Sequence, residues 1–175
     1  MRALVLDPPT AGLEELLERR RRSGLDRMDE VWEGVLHMVP APPGRHAVVE
    51  WQIARLLGPL AEQAGLYACG QFNLGEGEHN FRVPDGGLHR TIPTSTWYAT
   101  APLVVEIVSP GDESWEKLPF YAAHAVEEVL ILDPIKRSVD WLGLRGREYR
   151  PIERSGLIEL GASELAERID WPPAE

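Results

Sequence analysis

Residues 103–108 read LVVEIV, followed by SPGDE at 109–113 and WEKLPFYAAHAVEEVLILDP at 115–134. The first run is short, rich in β-branched residues and bounded by turn residues, which predicts a strand buried on both faces. The stretch beyond the turn has helical spacing, with Pro119 near its start or bending it, and VEEVLILDP supplies another strand. A strand, helix, strand crossover is parallel and right-handed in nearly all proteins, so this segment predicts an α/β architecture. Within LVVEIV, side chains alternate: Val104, Glu106 and Val108 share one face, and Leu103, Val105 and Ile107 the other. Glu106 is thus a carboxylate amid valines. Buried, it must meet a cation or strong hydrogen bonds; the competing expectation is an edge strand on which it points to water.

Working outward, the apolar residues Val49, Ile53, Leu56, Leu57, Leu60 and Ala64 recur at three- and four-residue steps between Arg45 and Gly65, which predicts a helix. Strand-like pieces follow at 66–72 and 80–84, ahead of 103–108. The order is helix, three strands, helix, strand, an α/β fold with a mixed sheet. Before it, DEVWEGVLHMVP at 29–40 alternates around Glu33-Gly34 as a hairpin, and Leu13 to Arg22 form a short helix with Thr10 as cap and Arg19–Arg22 complementing its dipole. After Asp133-Pro134, SVDWLGL and REYRPI read as two strands and SELAERI as a terminal helix. The Pro/Gly-rich pieces are too short to be interdomain linkers, so residues 1–175 are expected to form a single domain.

Composition narrows the class. Of 175 residues, 43% are hydrophobic, and 18 Lys+Arg stand against 28 Asp+Glu for a formal charge of -10. That balance disfavours unspecific attraction to phosphate polymers and anionic membranes. A single cysteine, Cys69, excludes an internal disulfide framework and multi-cysteine zinc sites. A reducing cytoplasmic location is expected, because the apolar stretch of MRALVLDPPT is too short for a signal-peptide core and no long apolar run follows. No phosphate-binding G-x-x-x-x-G-K-[ST] loop, H-E-x-x-H or G-x-S-x-G is present. Lys117 and Lys136 are the only lysines. Lys117 lies eleven residues after Glu106, near the start of the following helix, where a cation opposes the macrodipole and could reach back to the strand. Asp85, in VPDGG, has a turn reading as its rival; at the end of a strand neighbouring LVVEIV, it could converge with Glu106 on one divalent ion.

The segments WEGVL at 32–36, RVPDGGLHR at 82–90, LVVEIVSPGDE at 103–113 and WEKLPFYAAHAVEEVLILDP at 115–134, in this order, resemble the Uma-two family of restriction endonucleases, within the wider PD-(D/E)XK nuclease superfamily. The resemblance runs from about Asp29 to Leu144. It implies a restriction-endonuclease-like core of α-β-β-β-α-β order. In it Asp85 matches the PD aspartate, Glu106 the acidic residue of the second half-motif, and Lys117 a lysine moved from the strand to the following helix. Glu33 corresponds to an acidic residue of the family's N-terminal segment, and His46 to a histidine after its proline-rich turn. Two departures stand out: Val108 occupies the place of the compact motif's lysine, and glycines follow Asp85 where the family has apolar residues.

The activity implied is hydrolysis of DNA phosphodiesters, with Asp85 and Glu106 holding Mg²⁺ or Mn²⁺ and with DNA bound weakly when metal is absent. Two alternatives are a nuclease-like fold serving as a binding or assembly module, and a metal-dependent hydrolase of small phosphate esters. Six tryptophans, among them Trp97, Trp141 and Trp171, suggest an aromatic two-fold interface and hence a homodimer.

Overall fold

The computed structural model describes residues 11–111 and 113–173; the Thr10 cap and the opening segment expected from the sequence lie outside them. In chain order the elements are α1 (Ala11–Ser23), β1 (Glu30–Trp32), β2 (Val35–His37), α2 (Gly44–Gln63), β3 (Tyr67–Cys69), β4 (Asn73–Gly75), β5 (Phe81–Arg82), β6 (Gly86–His89), β7 (Trp97–Tyr98) and β8 (Leu103–Ile107). A 3-10 turn (Ser114–Lys117) leads into α3 (Leu118–Ala123), and β9 (Glu128–Asp133), β10 (Ser138–Arg145), β11 (Glu148–Pro151) and α4 (Ala162–Arg168) complete the chain.

The strands form two mixed sheets, one ordered β2-β1-β5-β4-β7 and the other β11-β10-β9-β8-β6-β3. In the larger sheet β8 and β9 are parallel, Leu103 to Ile107 pairing with Glu128 to Leu132, and α3 makes the crossover the sequence predicts. All other neighbours in that sheet are antiparallel. Taking α2, β3, β6, β8, α3 and β9 in turn recovers the expected α-β-β-β-α-β order.

β8 is central, not an edge. Leu103, Val105 and Ile107 pack with Val49, Ile53, Leu57 and Ala61 of α2 and Leu165 of α4, while Val104 lies in a second core with Val129, Ile131, Tyr121 and Leu74. Apolar burial on both faces stabilises the sheet and leaves Glu106, which shares the Val104 face, almost wholly buried.

The strand expected at 80–84 is not the neighbour of β8. Pro84 cannot donate to a ladder, and the chain changes sheets there: Phe81 and Arg82 pair with Val31 and Leu74 in the smaller sheet, and Gly86–His89 pair with β8. The glycines after Asp85 are therefore strand residues instead of a turn. His89 is buried at the end of this strand against Phe72 and Tyr98. Gly87 explains the apparent turn sequence, since a Cβ there would lie 2.6 Å from the Leu103 carbonyl oxygen and 2.8 Å from the Phe72 ring. Only glycine allows β6 to come this close to β8.

Of the tryptophans offered for a dimer face, Trp141 is fully buried and donates to Glu128 at 2.8 Å, and Trp171 is partly buried against the core. Trp97 is partly buried, edge-on to Phe81. Trp51 and Trp115, by contrast, are exposed at 68% and 46%.

Gly87→Ala should destabilise the protein by about 1–3 kcal/mol through overpacking, whereas Gly12→Ala in α1, where nothing lies within 4 Å, should be neutral or slightly stabilising. Urea denaturation midpoints check this; equal midpoints for the Gly87 variant and the parent would contradict the close approach.

Candidate active site

The crossover that buries β8 also delivers a cation to it. Lys117, the last residue of the 3-10 turn, points back to the strand and places its Nζ 3.0 Å from both carboxylate oxygens of Glu106. One turn further along α3, the fully buried Tyr121 donates a short hydrogen bond from its hydroxyl to Glu106 Oε1. Pro119, in the first turn of α3, suits a position where the backbone N–H has no helical partner. Glu106 itself is 2% exposed.

Asp85 stands where the chain enters β6. Its Oδ2 accepts from the Ile107 backbone N–H at 2.7 Å, so the loop preceding β6 is anchored to β8 one residue beyond Glu106. Its Oδ1 lies 3.1 Å from His46 Nε2, and His46 Nδ1 is 3.1 Å from Ser109 Oγ. His46 sits in the first turn of α2, whose buried stripe of Val49, Ile53 and Leu57 fixes how that turn meets the sheet.

A third carboxylate was not singled out by the sequence. Glu30, at the start of β1 and buried, lies 2.9 Å from Lys117 Nζ through Oε1. It also accepts from Val83 N at 2.7 Å and from Trp32 Nε1 at 2.7 Å. Glu33, the acidic residue expected here, is on the exposed β1–β2 turn with φ 52°, and the structure does not bring it to the cluster. The usable signal was strand alternation: Glu33 and Gly34 both take left-handed φ in a tight hairpin turn, which leaves Glu30 and Trp32 on one face of β1. Asp85, Glu106, Lys117 and His46 are brought together as expected, with Glu30 and Tyr121 added.

Three carboxylates thus face one ammonium in a buried space. Burial raises the Glu106 carboxyl to about 8; Asp85 and Glu30 add to this, and Lys117 and Tyr121 oppose it. Burial alone would favour neutral Lys117, yet Glu106 and Glu30 hold its pKa above that of an ordinary lysine. His46 is desolvated too, but its hydrogen bond to Asp85 and that carboxylate's charge outweigh the effect and raise its pKa. Glu50, one turn after His46, is raised by burial and by Asp85. The site therefore gathers protons to limit its negative charge, as an oxygen-rich cation site does when no metal neutralises it.

Above the cluster is a cavity of about 230 Å³. Glu30, Asp85, Glu106, Lys117 and His46 line it together with Trp32, Met28, Met38 and the proline-rich segment 39–43. Hard divalent ions take carboxylate oxygens, so the donor chemistry fits Mg²⁺ or Mn²⁺. Among the described residues, no three His, Cys, Asp or Glu side chains are already arranged as a ligand set. The carboxylate oxygens instead meet Lys117, Tyr121, His46 and backbone N–H groups.

The Glu106 carboxyl gives a pH signature. With its folded pKa near 8 and an unfolded value of about 4.3, the folded state keeps a proton that the unfolded chain releases. The stabilisation is complete below the unfolded value and is lost as pH rises toward about 8. Glu106→Gln removes that loss, so the melting temperature of the variant relative to the parent should climb between about pH 5 and pH 8. A difference independent of pH would contradict the shift.

Comparison with known proteins agrees with this geometry. The Uma2 family model, described as "Putative restriction endonuclease", matches residues 13–168. No curated protein matches the chain. Among solved structures, a putative nuclease of DUF820 from Anabaena variabilis shares 17% identity with a TM-score of 0.63, covering 80% of this chain and 90% of that one, and so shares the fold. A DrdV–DNA complex, 18% identical with a TM-score of 0.39, covers 66% of this chain and 10% of that one, a likeness too slight to argue from. With a family match that spans most of its length, the chain belongs to the Uma2 family.

Proposed function

We propose that the protein is a metal-dependent endonuclease that hydrolyses DNA phosphodiester bonds, with Asp85, Glu106 and Lys117 at its centre. The observation carrying this reading is the convergence of Asp85, Glu106 and Glu30 on the floor of one cavity, where Lys117 pairs with Glu106 and Glu30. Such a surplus of buried carboxylates destabilises a fold unless a cation is meant to join them. Family membership and the shared fold support a nuclease; the donor set supports a hard metal ion.

Asp85 and Glu106 are the residues that would hold Mg²⁺ or Mn²⁺, and Glu30 is the further acid within reach of the same lysine. When bound, such an ion polarises the scissile phosphate and lowers the pKa of an attacking water. The rest falls to the chain. The Ile107 N–H fixes Asp85, the Tyr121 hydroxyl fixes Glu106, and His46 holds the second oxygen of Asp85. Lys117 supplies a compact positive charge beside the place where phosphate charge develops, and the low-dielectric walls strengthen its effect.

One feature favours a second reading. Every carboxylate oxygen of Glu106 and Asp85 already has a partner, as in a purely structural network within a binding or assembly module. Cleavage of labelled DNA with Mn²⁺ separates the two. The proposed enzyme cuts it, and Glu106→Gln lowers turnover by about a hundredfold or more while remaining folded. Lys117→Arg does not rescue activity, because a planar guanidinium cannot replace a compact ammonium between Glu30 and Glu106. No cutting by the parent, or parental turnover by the Arg variant, would contradict the assigned roles.

A further inference from the structure

Resting on the reading of the cluster as a phosphodiester-cleaving site, we propose that its substrate is single-stranded DNA, one unstacked nucleotide of which enters the cavity without its base being read. The cluster is at the floor of a space of about 230 Å³, with Glu106 and Glu30 each 2% exposed. At about 230 Å³ that space is on the scale of a single nucleotide and far smaller than a segment of B-form duplex, whose major groove alone is about 12 Å wide. A phosphate within an intact duplex cannot descend to these carboxylates while its base remains stacked.

The walls point the same way. They are apolar where a base would lie, contributed by Met28, Met38 and the prolines of 39–43, and among the described residues no Asn, Gln or Arg side chain lines the cavity. Bidentate reading of base edges uses those residue types. Trp32 offers no free ring face, since His37 stacks on it at 4.1 Å and the Arg82 guanidinium covers it at 4.2 Å. Contact with a base is therefore sequence-tolerant packing.

The basic side chains of the lining are also committed: Lys117 to Glu30 and Glu106, His46 to Asp85, and His37 to Glu113 at 2.6 Å. No arginine is placed there to follow a duplex backbone, and the chain carries a formal charge of -10. The wall is braced. Arg20 pairs with Asp29 and donates to the Leu25 and Val39 carbonyls at 2.7 and 3.2 Å, and Val39 N donates to Asp29 at 2.8 Å. These bonds hold the proline-rich wall against the hairpin and keep the cavity narrow.

The test is cleavage, with Mn²⁺, of one labelled oligonucleotide presented as a single strand, as a blunt duplex, and as a duplex with a central unpaired bubble. Because a duplex must be unpaired and unstacked first, the single strand and the bubble should be cut about a hundredfold faster than the duplex. Changing the base at the cut position should alter the rate by less than about tenfold. Duplex cutting as fast as single-strand cutting, or a stringent base requirement, would overturn this inference and leave the nuclease reading standing. Failure to cut any of the three would overturn the nuclease reading itself.

Discussion

Burial of three carboxylates around one lysine is the constraint to which the rest of the structure answers. Glu30, Asp85 and Glu106 come from three different stretches of chain, and Lys117 touches two of them. Removing an ionised carboxylate from water costs several kcal/mol unless partners replace its hydration. Here the replacements are specific: an ammonium, a phenol, an imidazole and backbone amides. Protons supply what is still missing, which is why the carboxyl of Glu106 is raised and Lys117 remains charged though buried. A divalent cation accomplishes the same neutralisation, and this links the protein's stability to its proposed chemistry.

The fold supplies the rigidity this arrangement requires. β8 is held by β6 and β9 and covered on both faces, so Glu106 projects from one of the least mobile parts of the molecule. Gly87 lets β6 approach closely enough for Asp85 to reach the Ile107 amide. The short 3-10 turn and α3 then bring Lys117 and Tyr121 to the same face, as a crossover between adjacent parallel strands must return over the sheet. The hairpin of the smaller sheet contributes Glu30 and a cavity wall. The proposed catalytic demands and the structural ones thus fall on the same hydrogen bonds.

Much of this was legible in the sequence because the decisive signals were local. The apolar run around Glu106, the helical spacing beyond it and an isolated lysine in an arginine-rich chain marked the central strand, its crossover and the Glu106–Lys117 pair. Asp85 and His46 were legible through their place in family-like segments. The sequence was less informative where tertiary pairing decided. P-D-G-G has the composition of a turn, and only the approach of Leu103 and Phe72 shows why two glycines belong in a strand. Glu30 and Glu33 are three residues apart and chemically equivalent, and although the hairpin turn at Glu33-Gly34 was legible, the contact of Glu30 with Lys117 is a tertiary pairing that no local pattern shows. Nor can composition distinguish an indole spent in the core, as at Trp141, from one left exposed, as at Trp51 and Trp115.

The central claim is that the cluster is built to receive a divalent ion, and anomalous diffraction from crystals containing Mn²⁺ tests it most directly. The expected result is a peak in contact with carboxylate oxygens of Asp85 and Glu106, with the Glu106–Lys117 contact loosened as the ion takes over part of the charge balance. A cluster free of the ion at saturating Mn²⁺, with Lys117 still bridging Glu30 and Glu106, would contradict it.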